Sequence, residues 1–260
     1  MPKFSANIST LFTERPMLER FAAAAAAGFA GVEIQFPYSE PADALAAAAD
    51  KAQVAIALFN VPAGDMTSGG PGLACIPGRE AEFRAAVADA ARYARTLKPA
   101  NVNVLAGRPP PGIARADCLA VLASNLRIAA EAMTPLGVGV VVEALNSNDV
   151  PGFLLTTSAA ALEAIDRAAH PAIMLQYDVY HMHQMEGAVA ETVARLRARI
   201  GHIQFADVPG RHEPGSGSLD FPSIFAAIDR SGYRGWVGAE YRPSGRTEDC
   251  LAWLDKARGA

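Results

Sequence analysis

Cysteine is scarce in this chain of 260 residues: there are three, Cys75, Cys118 and Cys250, and no two form a Cys-x-x-Cys pair. An odd number of widely spaced cysteines argues against a disulfide framework and a structural zinc site, and it suits a reducing compartment. Long apolar runs are also missing, and Met1–Ser9 lacks the charged and then apolar pattern of a signal peptide. We therefore expect a cytoplasmic protein with no membrane partner.

Basic residues do not predominate and form no run: the chain has 23 Lys and Arg and 27 Asp and Glu, and its net charge is −4. A surface that follows nucleic-acid phosphates needs a basic patch, so we expect no nucleic-acid partner. One or two arginines could still bind a small carboxylate. Hydrophobic residues make up 51% of the chain and charged residues 19%, which is typical of a globular protein. No linker or low-complexity segment divides the chain, so we expect a single domain over residues 1–260.

Short apolar segments alternate with amphipathic segments from one end of the chain to the other. Eight apolar segments are rich in Val, Ile and Phe and have the length of buried parallel strands. The predicted strands are Phe4–Ile8, Val32–Gln35, Val54–Phe59, Val102–Leu105, Val138–Glu143, Ile173–Asp178, Ile203–Ala206 and Trp236–Glu240. The predicted helices are Met17–Ala27, Ala42–Lys51, Arg79–Thr96, Ala114–Met133, Ser158–Ala168, Ala188–Ala198, Phe221–Asp229 and Thr247–Ala257. Eight such units, with no Gly-x-Gly-x-x-Gly loop after the first strand, favour an α/β fold of one (β/α)8 TIM barrel over a doubly wound open sheet.

Polar side chains occupy the carboxyl ends of the last four predicted strands. They are Glu143, Asp178, Gln204 and Glu240, on the fifth to the eighth strand in that order. A carboxylate buried there is costly without a partner, and the carboxyl ends of all barrel strands meet at one mouth. Like charges brought together need a cation or shared protons. These oxygen ligands suit Mg²⁺ or Mn²⁺, and with a histidine they could also accept Zn²⁺. For Gln204 alone, a solvated or backbone-bonded amide is an equally good interpretation.

Two further residues are candidates for binding a substrate. His181 lies three residues beyond the aspartate of the sixth strand, where it could bind a substrate oxygen or orient a ligand. Arg211 lies in the irregular stretch Asp207–Leu219, whose glycines suit capture of an anion, with a solvated turn as the alternative. We take Arg211 as the candidate for the substrate carboxylate or a hydroxyl; Arg108 and Arg242 also follow strands.

With these motifs, the chain resembles the hydroxypyruvate isomerase family of the xylose-isomerase-like barrels nearly from end to end. The segments that carry the resemblance are Phe4–Asn7, Gly28–Glu33, Pro62–Asp65, Ala74–Arg79, Asp149–Phe153, Gln176–Met182, Gly201–Gln204, Glu213–Gly217 and Gly235–Tyr241. Each segment alone is a weak signal, but their order together is specific. One departure is Phe59, which stands where a histidine is common and is expected to remove a polar contact near the pocket.

The resemblance implies metal ligands at Glu143, Asp178, Gln204 and Glu240, with the two glutamates also acting as acid and base. It implies isomerisation of a small anionic hydroxy-oxo acid, in the first place hydroxypyruvate to tartronate semialdehyde, through a cis-enediolate. The alternatives are a 2-oxo-tetronate (four-carbon sugar acid) isomerase, a barrel metallohydrolase such as an apurinic-site endonuclease, and a non-catalytic binding barrel. Five histidines and a net charge of −4 argue against the endonuclease. Assembly into a homo-oligomer is left open.

Overall fold

Eight parallel strands close into a barrel in chain order in the computed structural model, which describes residues 1–259. Each strand pairs with the next one, and the eighth pairs with the first. The strands are β1 Lys3–Asn7, β2 Gly31–Ile34, β3 Ala55–Asn60, β4 Asn101–Asn103, β5 Gly139–Glu143, β6 Ile173–Asp178, β7 Ile200–Phe205 and β8 Trp236–Ala239. The predicted (β/α)8 TIM barrel is therefore confirmed.

The helices lie between the strands in sequence and pack on the outside of the barrel through their apolar faces. They are α1 Met17–Ala26, α2 Ala42–Ala52, α3 Glu80–Leu97, α4 Arg115–Met133, α5 Ser158–Ala168, α6 Val179–Met185, α7 Val189–Leu196, α8 Phe221–Arg230 and α9 Ala252–Gly259. In α4, for example, Leu119, Leu122 and Leu126 are buried at helical spacing. Among residues 1–259, no helix combines the length and the hydrophobicity that crossing a bilayer requires.

Two helices differ from the prediction. The short helix α6 was not expected, and it forms because Asp178, at the end of β6, accepts a hydrogen bond from the backbone N–H of Tyr180 and starts a helix at once. The last helix was predicted over Thr247–Ala257, but Thr247–Cys250 is a 3₁₀ turn and the α-helix begins at Ala252. Both differences lie on the segments that follow β6 and β8.

The register of the strands brings the polar side chains of the late strands together. Glu143 is the cross-strand partner of Gln176, and Asp178 is the partner of Gln204. On β8, the neighbour of Gln204 is Gly238, where a Cβ atom would collide with the carboxylate of Glu33 on β2. Because Gly238 has no side chain, the inside of the barrel has room for the carboxylate of Glu33, which lies near the other end of the chain.

Aromatic side chains fill the space between the β8–β1 seam of the barrel and helices α8 and α9. The ring of Phe225 lies 5.0 Å from that of Phe4, 5.2 Å from that of Phe205 and 5.9 Å from that of Trp253, measured between centroids. Edge-to-face pairs at such distances add to the energy of apolar burial. This cluster fixes the strands whose ends carry part of the polar mouth.

We predict that Phe225→Ala lowers the free energy of unfolding by about 3–5 kcal/mol, because it leaves a cavity among aromatic rings. Leu18→Ala is the control, since Leu18 is 38% exposed, and its effect is expected to stay within about 0.5 kcal/mol. Urea denaturation of both variants measures the difference. Equal stabilities would show that the cluster does not hold this side of the barrel.

Candidate active site

A cavity of about 190 Å³ opens at the carboxyl ends of the strands. Five of the six residues predicted for the site line it, namely Glu143, His181, Gln204, Arg211 and Glu240. The sixth, Asp178, is buried behind this wall and contacts Arg211 and His181. The structure thus brings together the six residues predicted for the site, although one of them does not face the cavity.

The two glutamates differ in the number of donors that hold them. Glu143 accepts a hydrogen bond from Nδ2 of Asn103 at 3.0 Å and one from Nε2 of Gln176 at 2.5 Å. Glu240 accepts from four side chains: Asn7 at 3.0 Å, Gln35 at 3.0 Å, Gln204 at 2.6 Å and Arg211 at 2.6 Å. Hydrogen bonds to a carboxylate stabilise its charged form, so Glu240 is the better supported anion.

Burial is the main cause of the unusual acidity of both groups. Burial, together with the negative charges of Glu240 and Asp178, raises the pKa of Glu143 to about 8. Burial raises the pKa of Glu240 to about 7, and the positive charge of Arg211 opposes this shift. Groups with such pKa values exchange protons readily near neutral pH, which is what acid–base catalysis requires.

His181 is held as a neutral donor at the edge of the cavity. Its Nδ1 accepts from the backbone N–H of Asn146 at 3.2 Å and from the side-chain amide of the same residue at 2.7 Å. The ring proton therefore resides on Nε2, which lies 3.5 Å from Oδ2 of Asp178. Burial lowers the pKa of His181 to about 4. This histidine can donate a hydrogen bond to a substrate oxygen but carries no charge at neutral pH.

Arg211 is the cation at the cavity. Its guanidinium lies 2.6 Å from Oε1 of Glu240 and 3.4 Å from Oδ2 of Asp178, and it stacks 5.1 Å from the centre of the Tyr180 ring. Burial works against its charge, but the nearby carboxylates raise the pKa of Arg211 above its ordinary value. Of the other two arginines considered, Arg108 donates to the backbone oxygen of Gly70 and does not line the cavity. Nor does Arg242, whose backbone contacts the loop of Arg211.

The loop that carries Arg211 is organised by Asp207. This carboxylate follows β7 and accepts hydrogen bonds from the backbone N–H groups of Val208, Gly215, Gly217 and Leu219, at 2.8 to 3.0 Å. Arg211 itself has a φ of 59°, a left-handed conformation that costs energy for a residue with a side chain. The closed loop holds it there and so directs the guanidinium into the site.

The donor set fits a hard divalent cation. Three carboxylates and an amide oxygen are the ligands that Mg²⁺ and Mn²⁺ prefer, and Oε1 of Gln176 is buried beside them without a hydrogen-bond partner. Within residues 1–259, no three His, Cys, Asp or Glu side chains converge closely enough to hold an ion without rearrangement. Nε2 of Gln176 lies between Glu143 and Gln204 and donates a hydrogen bond to each of them. Coordination of a metal by the predicted ligands stays a prediction.

Sequence reasoning missed several polar residues that line the cavity, among them Asn7, Glu33, Gln35, Asn60 and Gln176, and it misjudged one apolar residue. Glu33 and Gln176 both line the cavity, and the available signal was a single polar residue inside each apolar strand. Phe59 was expected to remove a polar contact near the pocket, which is wrong: its ring packs 6.2 Å from that of Tyr38, outside the cavity. Successive residues of a strand point to opposite faces, so Asn60 faces the cavity and Phe59 does not.

Comparison with known proteins identifies the family. The family model for the xylose isomerase-like TIM barrel matches residues 21–257. The chain belongs to this family. The hydroxypyruvate isomerase of Escherichia coli (strain K12) is 43% identical over 258 residues, which cover 99% of this chain and 100% of that protein. A 2-oxo-tetronate isomerase of Cupriavidus necator is 42% identical over 254 residues, which cover 98% of each.

Two solved structures resemble the chain in fold. The crystal structure of AP endonuclease, family 2, from Brucella melitensis superposes with a TM-score of 0.95 at 41% identity, over 98% of this chain and 99% of that one. The E. coli 3-keto-D-glucoside 4-epimerase superposes with a TM-score of 0.81 at 23% identity, over 98% of this chain and 100% of that one, and this likeness shows the fold alone. The prediction of an isomerase is confirmed by the curated relatives.

We predict that the metal-free protein loses stability as the pH rises from about 5.5 to 8.5. The pKa of Glu143 is raised by folding from 4.5 to about 8. Its stabilising contribution is therefore complete below pH 4.5 and is lost as the pH rises through 8. Melting temperatures in a chelating buffer at three pH values measure the slope, and Glu143→Gln is the control because it has no carboxyl group to titrate. Parallel slopes for the two proteins would contradict the assignment.

Proposed function

We propose that the chain is a divalent-metal-dependent isomerase of a small hydroxy-oxo acid, with hydroxypyruvate and tartronate semialdehyde as the first pair to test. The observation that carries the proposal is the pair Glu143 and Glu240, both buried at one small cavity with pKa values raised toward neutrality. Moving a hydrogen between adjacent carbons requires a proton acceptor and a proton donor, and two such carboxyl groups can supply both.

The proton transfers are assigned to the two glutamates. One carboxylate takes the proton from the hydroxyl-bearing carbon, so that the substrate becomes a cis-enediolate. The other carboxyl group delivers a proton to the neighbouring carbon, the former ketone carbon, while the proton of the original hydroxyl passes to the oxygen of the former carbonyl. A bound divalent ion would supply Lewis-acid polarisation of the carbonyl group, with Glu143, Asp178, Gln204 and Glu240 as its ligands. Mg²⁺ and Mn²⁺ suit these oxygens best, and Zn²⁺ is the third candidate.

The other residues at the cavity bind and orient the acid. Arg211 offers a guanidinium that can exchange one of its carboxylate contacts for the carboxylate of the substrate. His181 offers the Nε2 proton to a substrate oxygen. Apolar side chains such as Leu58, Leu105 and Leu145 also line the cavity and would keep water from the reacting carbons. A cavity of about 190 Å³ suits a short acid rather than a nucleotide within a DNA strand.

A four-carbon acid is the second candidate substrate. Two relatives named 2-oxo-tetronate isomerase, from Cupriavidus necator and Pectobacterium atrosepticum, are 42% and 41% identical to this chain, almost as similar as the E. coli hydroxypyruvate isomerase at 43%. The same glutamates would serve both acids, since the reacting carbons are equivalent. The choice between them depends on which acid gives the higher kcat/KM.

The proposal is tested by assaying chelator-treated protein with Mg²⁺, Mn²⁺ or Zn²⁺ on three- and four-carbon hydroxy-oxo acids. We expect turnover only after a metal is restored, and a preference for one acid length. Duplex DNA with an abasic site serves as the control and should remain intact. Full activity in chelator would refute the metal requirement, and cleavage of the DNA without turnover of any acid would favour the metallohydrolase.

Replacing either glutamate by glutamine tests the proton carriers. Glu143→Gln and Glu240→Gln keep an oxygen ligand but cannot accept a proton, so each should lower kcat by at least about 10²–10⁴-fold while the protein still binds Mn²⁺. Glu163→Gln is the matched control, because Glu163 pairs with Arg115 and Arg167 on the surface. Solvent deuterium should also appear in the product. Normal turnover by metal-bound Glu240→Gln would exclude the mechanism with two glutamates.

A further inference from the structure

Glu33 is a buried carboxylate for which the proposed reaction has no direct use. It lies on β2 with no exposed surface, and four side chains contact it. Ser5 donates to Oε1 at 2.7 Å, and Nε2 of His202 lies 2.9 Å from the same oxygen. Gln204 donates to Oε2 at 2.7 Å, and Nδ2 of Asn7 lies 3.4 Å from it. A carboxylate so fully enclosed by donors has a single orientation.

We propose that Glu33 is a positioning residue that fixes the direction of the side-chain amide of Gln204, and through it that of Gln176. This inference rests on the proposed metal site, because its consequence is which atom of Gln204 an ion meets. An ionised carboxylate only accepts hydrogen bonds, so the group of Gln204 that faces Glu33 must be the NH₂ group. Its oxygen is thereby turned to the other side.

The orientation of the Gln204 amide in turn fixes that of the Gln176 amide. Oε1 of Gln204 accepts from Nε2 of Gln176 at 2.6 Å, and the same nitrogen donates to Oε2 of Glu143 at 2.5 Å. The second hydrogen of Gln204 Nε2 is used by Oε2 of Glu240 at 2.6 Å. Glu33 at one end and Glu143 at the other are thus joined through two amides, and each of these carboxylates accepts a hydrogen bond from an amide nitrogen.

Without Glu33, Glu240 and Gln176 would still favour the observed orientation of the Gln204 amide, but the two orientations would differ less in energy. The oxygen and the nitrogen of an amide have nearly the same shape, and their hydrogen-bond partners decide which way the group points. A reversed Gln204 would direct its oxygen at Glu33 and Glu240 and its NH₂ group at the NH₂ group of Gln176. Since an NH₂ group cannot bind a cation, the reversed amide would withdraw the one neutral ligand from the site.

Part of the support for Glu33 comes from His202 and Ser5, whose side chains form no hydrogen bond with a predicted ligand. Nε2 of His202 contacts a carboxylate oxygen of Glu33, which accepts hydrogen bonds, so the ring proton resides on Nε2 and is donated to Glu33. Ser5 holds the same oxygen. Gly238 provides the space, because any side chain there would displace the carboxylate. The arrangement is a rigid support of the kind that orients metal ligands from behind.

The test compares Glu33→Gln with Ser5→Ala, which removes a partner of Glu33 that contacts no ligand. In Glu33→Gln, an NH₂ group replaces one of the two carboxylate oxygens that now accept hydrogen bonds. We therefore expect the Kd for Mn²⁺, measured by titration calorimetry, to rise about 10–100-fold. The kcat at saturating Mn²⁺ and the KM of the acid should stay close to those of the wild type. Ser5→Ala should bind Mn²⁺ as the wild type does.

Two results would overturn the inference: a wild-type Kd for Mn²⁺ in Glu33→Gln, or an equal loss of affinity in Ser5→Ala. A wild-type protein that binds no Mn²⁺ would refute the proposed metal site instead. In that case, or if Glu33→Gln does not fold, neutron diffraction of the wild-type protein decides the question. The amide deuterons of Gln204 must point at Glu33, and an oxygen in that place would disprove the role of Glu33.

Discussion

Besides Asp207, four carboxylates are buried at one end of the barrel, and the energetic cost of removing their charges from water governs the arrangement around them. Glu33, Glu143, Asp178 and Glu240 are each at most 7% exposed. An isolated buried charge is far more costly than the net stability of a protein allows. The barrel compensates with amide donors, with the guanidinium of Arg211 and with protons retained to unusually high pH. Most polar contacts inside the mouth belong to this compensation.

Glu240 and Glu143 receive unequal numbers of hydrogen bonds, and this difference matters for the chemistry of the site. Glu240 has four donors and Glu143 has two, and the pKa is raised to about 7 in the first and to about 8 in the second. The additional donors favour the charged form of Glu240 over that of Glu143. A reaction that takes a proton from one carbon and returns one to the next requires such a pair. The burial of these two groups costs stability, but it also raises their pKa values toward neutrality.

The fold and the predicted ligands could be read from the sequence because parallel strands present their carboxyl ends at one mouth, which makes a strand-end Glu or Asp informative. Glu33 could not be read in this way, because a single acidic residue in a short strand gives no indication of which four side chains will surround it. The spacing of apolar residues did not predict α6, because a single side-chain cap, that of Asp178, starts this short helix. The position of Phe59 could have been predicted from the two-residue period of its strand, counted from Asn60.

Asp207 closes the loop of Arg211 through four backbone N–H groups, yet it takes no part in the proposed chemistry. The scaffold of the loop is therefore largely independent of the side chains that the loop displays. Apart from Arg211 and from Gly217, where a Cβ atom would collide with Asp207, side chains of the loop can be exchanged during evolution while the carboxylates of the mouth and their support stay unchanged. Such a division of labour lets one barrel acquire a preference for a different acid by small steps, each of which leaves a folded and reactive enzyme.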